Sequence, residues 1–335
     1  MIRRGLLLLA TIVGSVGAFS LLAFWSHLNP PTFVSPLSPG DLGLSYETIQ
    51  LETDDGIVLD GWFLPRQGGE PEVGEPATLI VLHGWPENKG SVLRSAAPLT
   101  DRFNLLLFDF RGLGRSQGRH STLGGRETKD VRAALDWLEE RGHHQIGIWG
   151  FSMGGAVALM SAAEDSRITA VASDTSFARL DLMARDLFRV PVLGHAMALG
   201  MRTWSRLFLG IDIRRIAPVE AASRLQIPVL IVHLEEDPFV PFAHALRLEA
   251  ALEGNPQARF WFREEGAYGQ VPPEYAERLR GFFAEHIPGP RSRTGEAEAI
   301  SGRREPGLRE PAHLASVPLG VELGMSRYDR RDTAA

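Results

Sequence analysis

Ser152 stands in Gly150-Phe151-Ser152-Met153-Gly154-Gly155, with the apolar run Ile146-Gly147-Ile148-Trp149 before it and Ala156-Val157-Ala158-Leu159-Met160 after it. Between a strand and a helix, this G-x-S-x-G spacing holds a serine hydroxyl out at a strained corner, because small residues on either side let neighbouring backbone pass close. The chemistry open to such a serine is attack on a carbonyl carbon. The N–H of Met153, first in the following helix, would point to where an oxyanion forms, and the helix dipole would add to its pull.

Two further motifs follow apolar strand-like runs. His83-Gly84-Trp85 comes directly after Leu79 to Leu82, where the N–H of Trp85 could supply a second oxyanion donor; His83 itself reads as structural. Phe108-Asp109-Phe110-Arg111-Gly112-Leu113-Gly114-Arg115-Ser116 comes after the next run, with glycines for a tight turn and Asp109 and Arg111 expected to pair locally. H-G, then D-x-R-G-x-G-x-S, then G-F-S-M-G-G resembles the α/β-hydrolase superfamily, in particular its bacterial serine hydrolases of esterase and peptidase-like kind, over roughly Tyr46 to Ile287. The resemblance implies a mostly parallel sheet with helices on both faces. It does not specify a substrate.

It also implies an acid and a base. The family's H-G-x-x-D-x-x-V-P stretch corresponds to His233-Leu234-Glu235-Glu236-Asp237-Pro238-Phe239-Val240-Pro241, so Asp237 takes the acid position, with Asp174 as the alternative. The family's G-A-G-H-G stretch corresponds to Glu264-Glu265-Gly266-Ala267-Tyr268-Gly269-Gln270, where tyrosine stands in place of histidine. A phenol with a pKa near 10 is ionised only about one part in a thousand at pH 7 and has no second nitrogen for a carboxylate to orient. Tyr268 therefore does not replace an imidazole. His244 and His195 are the candidate substitutes, with His120 and His286 less suited by position.

These motifs need elements to carry them. Tyr46 to Glu52 and Val58 to Leu64 flank Asp54-Asp55-Gly56 and read as a hairpin. Strand-type runs at Thr78 to Leu82, Asn104 to Phe108, Ile146 to Trp149, Ile168 to Ala172, Val229 to His233 and Arg259 to Phe262 then alternate with helical patterns at Ser91 to Leu99, Glu127 to Arg141, Met153 to Ala163, Phe242 to Leu252 and Glu274 to Glu285. Continuous apolar strands between helices predict a parallel sheet covered on both faces. Residues 177–216, dense in large apolar side chains and helical in pattern, sit where a lid would.

Residues 6–25 form an uncharged apolar run after Arg3 and Arg4, long enough to cross a bilayer. The basic flank predicts a membrane anchor over residues 1–26 with the body on the exoplasmic side; the other reading is a signal peptide cut near Val16-Gly17-Ala18, giving a secreted protein. Residues 27–43 read as a Pro- and Ser-rich spacer, residues 44–287 as the α/β-hydrolase domain and residues 288–335 as a disordered tail. The net charge of −6 gives no nucleic-acid footprint, and the absence of cysteine excludes disulfides and thiolate chemistry. No histidine pair has metal-ligand spacing, so neither metal nor cofactor is expected.

Two functions fit. One is a membrane-anchored serine hydrolase cleaving an ester or amide, the lid favouring a hydrophobic substrate, with Ser152 as nucleophile, Trp85 and Met153 as oxyanion donors and Asp237 orienting a base. The other is a catalytically impaired pseudo-enzyme that binds a ligand or partner at the membrane.

Overall fold

A computed structural model describes residues 2–31, 34–68, 76–187, 191–266, 269 and 271–287. The chain begins with one long helix, α1 (Ile2–Leu28), and reaches the hairpin β1 (Glu47–Glu52) and β2 (Val58–Leu64). Then come β3 (Thr78–Leu82), α2 (Lys89–Ala96), β4 (Asn104–Phe108), α3 (Glu127–Glu139), β5 (Ile146–Phe151), α4 (Met153–Glu164) and β6 (Ile168–Asp174). The lid carries α5 (Leu180–Asp186) and α6 (Pro191–Leu209), and the chain finishes through α7 (Pro218–Ala222), β7 (Val229–Leu234), α8 (Ala243–Ala251), β8 (Ala258–Arg263) and α9 (Tyr275–His286).

The eight strands form one sheet in the order β1-β2-β4-β3-β5-β6-β7-β8. β2 pairs antiparallel with β1 and with β4, and every other neighbouring pair is parallel. Strands β3, β4 and β7 are buried along their whole length, as continuous apolar runs require when helices cover both faces. One core, holding Val131, Leu135, Val157 and Leu159, lies on the face of α3 and α4; the other, holding Leu93, Leu279 and Phe283, lies under α2 and α9.

The strand order reverses beside β3, which has β4 on one side and β5 on the other. At such a switch the connections leaving two parallel strands diverge and open a crevice at their carboxyl ends. Leu82 of β3 is in register with Gly150 of β5, so His83-Gly84-Trp85 and Ser152 emerge side by side at that crevice.

The loop after β4 corrects one expectation. Asp109 and Arg111 do not pair with each other. Asp109 accepts from the backbone N–H and Nζ of Lys89, at 2.7 and 2.8 Å, while Arg111 reaches Asp130 at 2.7 Å and Asp55 at 2.8 Å. Each side chain is drawn to a partner from another element, which leaves no buried charge alone.

Candidate active site

Ser152 takes φ 54° and ψ −117°, a positive φ rare outside glycine. Its N–H donates to the Asp174 carbonyl at 2.8 Å, tying the corner to the end of β6. The turn survives because its neighbours lack side chains. A Cβ on Gly150 would overlap the Gly154 carbonyl, and one on Gly154 would come within 2.5 Å of the Leu82 carbonyl oxygen. Met153 is buried as the first residue of α4, so its N–H belongs to the helix's unsatisfied first turn beside the serine.

Gly84 lies against this corner: a Cβ built there would sit 3.3 Å from Ser152 Cβ. The preceding His83 is structural, as expected. Its Nδ1–H donates to the Gly84 carbonyl at 2.7 Å, its Nε2 accepts from the Phe110 N–H at 3.0 Å, and burial lowers its pKa.

Ser152 opens into an apolar cavity of about 340 Å³. Trp85 and Met153 flank the serine, Phe177, Leu180 and Met183 come from the lid, and Phe24, His27 and Leu28 come from α1. Phe24 and Leu28 are only 6 and 4% exposed. Ser20 accepts from Trp204 Nε1 at 3.0 Å, and Phe24 stacks on Phe208 with centroids 6.2 Å apart. The end of the N-terminal helix and lid helix α6 are thus packed into one wall. Farther out, Leu7, Leu8 and Val13 of α1 are exposed, as is Leu22 on the helix's outer side.

A smaller polar cavity, about 70 Å³, is lined by Phe151, the residue before the serine, and by Asp174, Asp237, Arg263, Gly269 and Tyr275. Asp237 Oδ1 accepts from the N–H groups of Phe239 and Val240 at 2.8 and 2.7 Å, an Asx-type turn that fixes the carboxylate after β7. Its Oδ2 is buried with no hydrogen-bond partner among the described residues. Asp174 is differently engaged: Oδ2 accepts from Tyr275 Oη at 2.5 Å and Oδ1 from Thr175 Oγ1 at 2.9 Å, while burial raises its pKa. A carboxylate so occupied is poorly placed to orient a base.

Tyr268 lies outside the described residues. Gly269, which by strict count from Gly266 takes the histidine's place in G-A-G-H-G, lines the polar cavity at φ 73°. Neither register puts an imidazole beside Asp237.

The substitutes foreseen in the sequence do not fill the gap. His244 is buried; its Nδ1 accepts from the Ala178 N–H at 3.0 Å, its Nε2 lies 3.4 Å from Asp186, and burial depresses its pKa to about 4. His195 is exposed on α6 and lines an outer groove that includes Asp237 but not Ser152. His120 Nδ1 bonds to Asn29 Oδ1 at 2.8 Å, and His286 lies in the last turn of α9. The histidine lining the Ser152 cavity among the described residues is His27, which the sequence reading placed in a spacer. Among the described residues no cluster of His, Asp and Glu could hold a metal.

Residues 77–197 match the family model described as alpha/beta hydrolase fold. The uncharacterized protein YfhR of Salmonella typhi is 28% identical over 83% of this chain and 92% of its own length. The alpha/beta hydrolase domain-containing protein WAV2 of Arabidopsis thaliana is 30% identical over 67% of this chain and 73% of its own. Among solved structures, an esterase of Pyrococcus furiosus superposes with a TM-score of 0.63 at 23% identity, covering 78% of this chain and 98% of that one, a likeness of fold. On the strength of its sheet order, its serine corner and these relatives, the chain belongs to the α/β-hydrolase family.

Proposed function

We propose that this protein is a membrane-anchored serine hydrolase that cleaves a carboxylic ester, or an amide, by acyl transfer through Ser152. The observation that carries the reading is the strained corner at Ser152, kept at positive φ and opening into an apolar cavity large enough for an acyl chain. Ser152 Oγ attacks the carbonyl carbon, the N–H groups of Trp85 and Met153 hold the oxyanion, and water releases the acid. Asp237 stands in the acid position. The esterase likeness supports the ester class, and the exposed apolar length of α1 supports anchoring, with Arg3 and Arg4 on the cytoplasmic side and the domain on the exoplasmic side. Cleavage of α1 as a signal peptide would instead secrete the domain.

The test is turnover of p-nitrophenyl acetate and octanoate by the full chain in detergent, with and without Ser152→Ala. Ser152-dependent hydrolysis is expected; equal rates in the two proteins would end the hydrolase reading.

The loop after β8 carries no histidine, and this favours a second reading, a pseudo-enzyme that uses the same cavity to bind an apolar ligand at the membrane. It predicts saturable binding of a fatty-acyl probe by wild type and Ser152→Ala alike, with no turnover by either.

A further inference from the structure

The hydrolase reading lacks a base, and on that reading the N-terminal helix supplies one. We infer that His27, in the last turn of α1, is the general base for Ser152. Among the described residues, the titratable side chains lining the serine cavity are His27 and Glu87. Glu87 Oε2 is already engaged by Ser91 Oγ at 2.9 Å. His27 is differently set. Its Nδ1 lies 2.7 Å from the Ala23 carbonyl one turn back, so Nδ1 carries the proton and Nε2 is left with its lone pair. That bond does for this ring what a carboxylate does in a triad, fixing tautomer and orientation.

The ring is also held in place. It stacks on the Trp85 indole with centroids 5.1 Å apart and planes 6° from parallel, and Trp85 adjoins Gly84, the residue packed against Ser152. Phe24 and Leu28 of the same helix are buried in the cavity wall, and the Ser20 to Trp204 hydrogen bond pins α1 to the lid. Three buried histidines near the sheet's crevice have structural assignments: His83 and His244 accept backbone N–H groups, and His233 Nε2–H donates to the Val240 carbonyl at 2.9 Å. The imidazole missing from the loop after β8 is thus supplied from a different element.

The proton cycle balances. His27 Nε2 takes the Ser152 Oγ proton as Oγ bonds to the carbonyl carbon, then returns it to the alkoxide oxygen as the ester C–O bond breaks. A water then gives its proton to Nε2 as its oxygen attacks the acyl carbon, and that proton returns to Ser152 as the acid leaves. The role requires Nε2 within hydrogen-bond reach of Ser152 Oγ in the substrate complex, where such contacts are tighter than in the free enzyme.

The full chain in detergent micelles, assayed with p-nitrophenyl octanoate, tests this. His27→Gln is expected to lower kcat by about 100-fold or more with KM within about two-fold, the usual contribution of a general base. Imidazole added to His27→Ala restores part of its turnover, and none to Ser152→Ala, which a merely structural role for the ring does not produce. Turnover that survives His27→Ala, loss that imidazole does not restore, or loss in Glu87→Gln with His27→Ala active would each overturn the assignment while leaving the hydrolase reading standing. Wild type without Ser152-dependent turnover would take both down.

Discussion

Ser152 depends on what its neighbours lack. Gly154 packs against the backbone that leaves β3, so Gly154→Ala forces a methyl to within 2.5 Å of the Leu82 carbonyl oxygen. Overpacking of this kind costs about 1–3 kcal/mol, and thermal unfolding should show a Tm several degrees lower, with the serine displaced and its reactivity reduced. The opposite substitution restores rather than breaks. Among the described residues a Cβ on Gly269 meets nothing within 4 Å and Asp237 Oδ2, lining the same cavity, has no partner. Histidine at this positive φ costs about 1–2 kcal/mol, and with Asp237 orienting the new ring, turnover of p-nitrophenyl acetate by Gly269→His should exceed wild type by about ten-fold or more. Tyr268→His, assayed beside it, decides which of the two positions is the family's.

At the scale of elements, α8 is tied to the lid through His244, whose Nδ1 accepts the Ala178 N–H. Burial holds this imidazole neutral down to about pH 4, whereas a histidine in the unfolded chain takes up its proton near pH 6.5. The unfolded state therefore gains protons first as pH falls. Stability from neutral His244 is fully present above about pH 6.5 and is lost as pH falls toward 4. Urea unfolding across that window should show a shallower decline in His244→Gln than in wild type; identical slopes would contradict the buried neutral ring. Part of the decline persists, because His83 is also buried and shifted in the same direction. The elements themselves were legible in the sequence. The runs Thr78 to Leu82 and Asn104 to Phe108 are β3 and β4 residue for residue, since fully buried strands are continuous apolar stretches bounded by turn residues. Ion pairing was not legible: Lys89, Asp55 and Asp130, which meet Asp109 and Arg111, are far apart in the chain. His27 was hidden by the apolar run before it. Ser20, Phe24, His27 and Leu28 recur at i, i+4, i+7 and i+8, one face of a helix, and that spacing was the signal for a buried stripe within an anchor.

The whole molecule joins a membrane-length helix to an enzyme cavity. Residues 2–19 of α1 rise about 27 Å, close to the roughly 30 Å of a hydrocarbon core, and the buried positions begin at Ser20. Leu199, Leu207 and Phe208 of α6 are exposed beside them, an apolar lid surface at the level where the helix would leave the bilayer. A chain starting at Pro39 keeps the sheet but loses Phe24, His27 and Leu28 from the cavity. Burial of Phe24 and Leu28 contributes about 1.5–3 kcal/mol each, so this chain should unfold at lower temperature and lose turnover of octanoate more than a Phe24→Ala variant does. The central claim is that Ser152 is an activated nucleophile, and the most direct measurement is intact and peptide mass analysis of the full chain after exposure to a fluorophosphonate. The account predicts one adduct, on the peptide bearing Ser152, absent from Ser152→Ala and much slower to form in His27→Gln. A wild-type chain that stays unmodified, or an adduct that persists in Ser152→Ala, would contradict it.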